Sequence, residues 1–316
     1  MTMKITKSTL SNLISDITKK ILFFFSMLIF SQTVFSQTGN TSPEPRIKIY
    51  HVNYISGSII IAAGLASDYP SIGRIKNKAN LTSAEILNLN TSIVSPIDQW
   101  ALHQNTSHYQ LFSKLSDDVE PPIFVILPAL FALDKKIRQD WLDLLFMYCE
   151  GHVITFTFYN YSWLGPTFEN KYRPIAYYTN LPMAARTTGN NRNSAYSGHT
   201  ASVAFTSFFL AKVYCDYHPD ASKLFWYSMA LIPPLAMGYL RVRALAHFPS
   251  DVATGLSVGA LIGIVLPQLH KNTIKGVTLG LMAVPGAMGM SGLWTIPSHK
   301  LSNKDKSITA SVSSTN

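Results

Sequence analysis

Helix-length apolar runs separated by short polar islands restrict, more than any other feature, what this chain can fold into. The runs lie at 21–35, 54–66, 121–133, 141–164, 200–215, 224–240, 252–266 and 276–296. Each must be covered by a core or by lipid, because apolar surface left in water costs about 25 cal/mol per Å². Charged residues are 14% of the 316 and hydrophobic ones 47%, far from the roughly 25% charged share of ordinary soluble domains. A helical bundle in a membrane is therefore expected. The formal net charge of +9 is spread over short loops, which suits loops flanking membrane spans and not a nucleic-acid surface with basic, aromatic-studded stripes. Cys149 and Cys215 both fall in or at the end of apolar helical runs, so a cysteine metal cluster is excluded, and the redox compartment stays open.

Residues 1–36 carry Lys4, Lys7, Lys19 and Lys20 ahead of a short apolar block ending at Ser36, the pattern of a secretory signal or of an uncleaved anchor. Either would export the chain beyond residue 36. Residues 37–120 read as an exported polar flank. Within it, 54–66 is too short to span, since a crossing helix needs ~20 residues. A helix start is expected at Thr82-Ser83-Ala84-Glu85, a capping box. His103 and His108 have no partner at ligand spacing and are expected at the surface, and nothing in 67–120 looks catalytic. Residues 121–297 would form the bundle, with Pro233-Pro234 kinking one helix and Gly255, Gly259 and Gly263 letting a neighbour approach closely. Residues 298–316 read as a disordered tail. The basic loop Asp134–Asp140 suits a cytoplasmic turn, or any solvated helix-helix loop. With that loop inside and 54–66 not crossing, three polar islands meet on the exported face.

Those islands hold groups suited to a phosphate ester. The third runs from Arg241 to His247-Phe248-Pro249-Ser250-Asp251. Pro249 and Asp251 fit a helix first turn. The spacing of four brings Asp251 toward His247, so that one ring nitrogen is bonded and the other is free to attack, while Arg241 neutralises phosphoryl oxygens. Equally, Asp251 merely caps its helix and His247 fills space. The second island, Ser197-Gly198-His199-Thr200, opens an apolar helix whose free amides face an anion. Ser197 can donate and His199 can serve as general acid, against a plain Ser N-cap beside an incidental histidine. The first, Lys171-Tyr172-Arg173-Pro174, offers Arg173 as a phosphate clamp.

In this order and spacing, Arg173-Pro174, Ser197-Gly198-His199 and Arg241-x5-His247-x3-Asp251 resemble the three motifs of the type 2 phosphatidic acid phosphatase and vanadium haloperoxidase superfamily, in particular its membrane lipid phosphatase branch. The motifs cover about 166–251 and the helical pattern extends the likeness to about 121–270. The resemblance implies an all-α bundle of about six membrane helices and hydrolysis without a metal or other cofactor. It implies a phosphohistidine on His247 oriented by Asp251, His199 protonating the leaving group, and Arg173, Arg241, Ser197 and Gly198 holding the phosphoryl oxygens. The family's lysine position holds Pro166, so Lys171 would substitute in phosphate binding. Tyr196 and Leu240 replace the usual Pro and Ser, and Arg243 would compensate for the missing serine. The implied partners are a membrane and a lipid phosphate or diphosphate, such as undecaprenyl diphosphate, lipid A or a phosphatidate, cleaved at the periplasmic face of a bacterial inner membrane. A soluble exported acid phosphatase, a vanadate haloperoxidase and a non-catalytic phospholipid-binding protein remain the alternatives.

Overall fold

A computed structural model describes residues 48–271 in full and the backbone of 277–284 and 287–294. The expected leader at 1–36 and tail at 298–316 lie outside the described residues. Helix α1 (Tyr54–Lys76) starts where the Asn53 side chain accepts the Ile55 and Ser56 amides. It runs ten residues past the expected end at 66. What carries it on is Asp68, buried against α4, whose carboxylate accepts from Asn160 Nδ2 at 2.8 Å and Thr157 Oγ1 at 3.0 Å. A buried carboxylate is tolerated where its lone pairs are satisfied. The short α2 (Ser83–Leu87) has the expected capping box between Thr82 and Glu85, and His103 and His108 are exposed.

Helix α3 (Tyr109–Ala129) crosses the expected flank-to-bundle boundary at 120 and runs through Pro121 and Pro122. Proline has no N–H, so the carbonyls of Asp117 and Asp118, four residues earlier, lose their helical partners there. Then come α4 (Trp141–Tyr161), the single turn α5 (Met183–Arg186), α6 (Gly198–Tyr217), α7 (Lys223–Arg243), continuous through Pro233-Pro234, and α8 (Pro249–Lys271).

Helix α6 is the centre of the bundle, packed along α8 and α7 and touched by α3 and α4. Phe205 and Phe209 of α6, Met147 and Tyr148 of α4, and Ile262 and Leu266 of α8 fill the main core. The α6–α8 contact is backbone-close because of the glycine stripe: a Cβ on Gly259 would stand 2.0 Å from the Ala201 carbonyl oxygen, and one on Gly255 2.4 Å from that of Ser197.

One expectation changes. The run 276–296, read as a last helix, instead holds antiparallel strands β1 (Val277–Val284) and β2 (Ala287–Trp294), paired from Val277 with Trp294 to Val284 with Ala287. Gly280, Gly289 and Gly292 weaken any helix there. The helical bundle is thus followed by a hairpin. Among the described residues only α8 is both long and apolar enough to cross a membrane, with a mean hydropathy of 1.8.

Candidate active site

The three islands converge at one end of α6, α7 and α8, and short backbone bonds hold them together. The Ser197 amide donates to the Asp251 carbonyl at 3.0 Å, Arg173 N to Asn191 O at 2.8 Å and Ile175 N to Leu245 O at 3.1 Å. Leu245, fully buried, has φ of 56°, a left-handed conformation that costs a non-glycine residue roughly 1–2 kcal/mol. It reverses the chain after α7 and tucks His247 inside.

His247 is 2% exposed, and its Nδ1 lies 3.2 Å from the Ser194 carbonyl oxygen. A carbonyl only accepts, so Nδ1 carries the proton and Nε2 keeps its lone pair. Burial lowers the pKa of His247 well below the ordinary imidazole value, and Arg241, Arg173 and His199 push it the same way. Burial, with Arg241 beside it, also lowers Arg173, to about 10, which leaves it charged at neutral pH. Arg173 Nε reaches Asn193 O at 3.4 Å, while its two terminal nitrogens make no hydrogen bond to a described residue. Arg241 is 4% exposed; Nη1 binds Ser116 Oγ at 2.8 Å and Asp117 Oδ1 at 3.2 Å, and Nε is unpartnered.

Asp251 does not bond the His247 ring directly, as the spacing of four had suggested. Its Oδ2 accepts from the Phe248 amide at 3.0 Å and from Ser194 Oγ at 2.7 Å. The carboxylate therefore fixes the residue after His247 and the serine whose carbonyl holds Nδ1. Lys171, expected to bind phosphate, is placed against Asp251. Its Nζ sits 2.6 Å from Asp251 Oδ1 and 3.1 Å from Ser250 Oγ, and a cation so paired serves the carboxylate before any substrate. Ser197 is fully buried, and its Oγ accepts from Thr200 N at 3.4 Å and Thr200 Oγ1 at 2.9 Å as the α6 cap. The amides of Gly198 and His199 in that first turn bond to no described residue. Tyr196 is buried against the Tyr159 ring. Arg243 points away, to Gln104 Oε1 at 2.9 Å and over the Phe112 ring.

Buried cations around an unprotonated imidazole nitrogen make a site suited to an anion, and residues 141–275 match the family model described as the PAP2 superfamily. This segment is similar to the PAP2 superfamily. Comparison with curated proteins found no match, and comparison with solved structures found none. The match supports phosphatase activity for residues 141–275. Among the described residues no group of three or more His, Cys, Asp and Glu could hold a metal ion.

The region ahead of the matched segment, read as chemically empty, supplies part of the site. Asp98 accepts the Ser250 amide at 2.9 Å and hydroxyl at 2.7 Å, bracing the first turn of α8. From α3, Asp117 Oδ1 and Glu120 Oε2 stand 3.0 and 3.3 Å from His199 Nε2. No spacing rule finds them, because they meet the motifs only through packing. A weaker signal was present in a helix register that puts Asp117 and Glu120 three apart on one face.

Proposed function

We propose that the protein hydrolyses a phosphate or diphosphate ester of a lipid through a phosphohistidine on His247. The observation that carries this is the free Nε2 of His247 beside Arg173, whose terminal donors bond to no described residue. In the first step Nε2 forms the P–N bond, the P–O ester bond breaks, and the leaving oxygen takes a proton from His199. In the second, water gives its proton to His199 and its oxygen to phosphorus, and the P–N bond breaks to release inorganic phosphate. Arg173 and Arg241 offset charge on the phosphoryl oxygens throughout, joined by the first-turn amides of α6. Lys171, Ser194 and Asp98 act indirectly, by fixing Asp251 and Ser250.

The lipid assignment is supported by the apolar length of α8 and by the bare outer face of α7, where Leu224, Ile232 and Leu235 are exposed. A soluble phosphomonoester is the second reading. It is favoured by the cavity of about 510 Å³ that opens at Arg173, whose walls include Gln110, Lys114, Asp118, Thr188 and Asn190. Phosphate release should be measured with purified protein in detergent, without divalent metal, on lipid phosphates, lipid diphosphates and a soluble phosphomonoester. Turnover of the lipids, abolished by His247→Ala, is the expected result. Unchanged turnover in that variant would refute the assignment, and turnover of the soluble ester alone would move the function to the second reading.

A further inference from the structure

Two of the groups a phosphate ester needs are aimed at an oxygen of the protein itself. His199 Nε2 lies 3.0 Å from Asp117 Oδ1, and Arg241 Nη1 lies 3.2 Å from the same atom. Glu120 Oε2 stands 3.3 Å from that ring nitrogen. A ring nitrogen carries one proton, so His199 Nε2 cannot serve Asp117 and a leaving oxygen together. The oxygen bridging an arginine and the acid histidine is where an ester oxygen would sit. Carboxylate and phosphate bind such donors in the same way.

Asp117 is also placed to leave. Its side chain is 57% exposed, so turning outward costs it little desolvation. It lines the cavity of about 510 Å³ opposite Arg173. Pro121 and Pro122 come four residues after Asp117 and Asp118 in α3, and the N–H donors those carbonyls lack there make this a place where the helix bends cheaply. Glu120 is half-buried beside the same ring and keeps His199 oriented when Asp117 withdraws.

We propose that Asp117 is a resident anion, whose carboxylate occupies Arg241 and His199 in place of a substrate phosphate oxygen and must be displaced for the substrate to bind. This rests on the site taking phosphate, as proposed above. Its consequence has a distinctive sign. A ligand that binds only the displaced state has its affinity reduced by the population of that state, so removing the carboxylate strengthens phosphate binding. Removing a residue that merely positions the site weakens it.

The test is equilibrium binding of radiolabelled inorganic phosphate to the full chain in detergent, for the wild type, Asp117→Ala, the isosteric Asp117→Asn and Arg173→Ala. Both Asp117 variants should bind phosphate about tenfold tighter, the change expected if the displaced state is about a tenth of the population. Should Asp117→Ala fail to fold, Asp117→Asn decides. Unchanged or weaker binding in the folded Asp117 variants overturns the inference. Loss of binding in Arg173→Ala shows that the phosphate site itself is sound. Wild-type binding that is absent, or indifferent to Arg173→Ala, overturns both the site and the inference.

Discussion

His247 is stored inside the protein without a proton on Nε2. Its pKa is lowered by burial first and by the two arginines second, so the unfolded chain takes up a proton near pH 6.5 that the folded one refuses. More protons bound in the unfolded state means that stability rises with pH. The contribution from this histidine is complete above pH 6.5 and is lost as the pH falls below it. The melting temperature of the wild type is therefore expected to drop between pH 7 and pH 5 more than that of His247→Gln. Equal drops would show that the buried imidazole is not held neutral. At this level the sequence was informative about identity and poor about partnership. Arg173, His199, Arg241 and His247 were legible because order and spacing single them out. The bond from Nδ1 to Ser194 O was not, because it depends on the left-handed Leu245 and on where a loop fifty residues earlier happens to lie.

Helix packing explains why islands so far apart in the chain act together. The stripe Gly255, Gly259 and Gly263 was readable from its spacing, and it sets α8 directly on the α6 backbone. In Gly259→Ala the new methyl would stand 2.0 Å from the Ala201 carbonyl oxygen, which forces the helices apart at a cost of about 1–3 kcal/mol. Because α6 carries His199 and α8 carries Asp251, kcat/KM should fall along with the melting temperature. A variant that kept both would show the contact to be slack. Helix α3 was illegible for the opposite reason. Its proline pair looks like a boundary, its N-terminal half is polar, and its contribution is made through a groove that α6 and α7 complete. The strands at 277–294 were missed because a short apolar run has the same composition as strand or as helix, and only Pro285-Gly286 marks the break.

Over the whole molecule, the bundle presents to its surroundings a surface unlike that of a water-soluble enzyme. Leu224 is 81% exposed, and Ile55 and Ile59 of α1 are 76% and 64% exposed. Large apolar side chains exposed to this degree suit a surface that lipid covers. In cell fractionation the protein is expected in the membrane pellet after alkaline carbonate washing, and in solution only with detergent. Release by carbonate alone would leave the soluble phosphatase reading in place. The amide of Ser197 bonded to the carbonyl of Asp251 joins the loops that carry the two histidines into one mount. The opposite wall, α3, belongs to a separate stretch of chain. Because Ser116, Asp117 and Glu120 of that wall touch Arg241 and His199, a change in α3 reaches the mount itself.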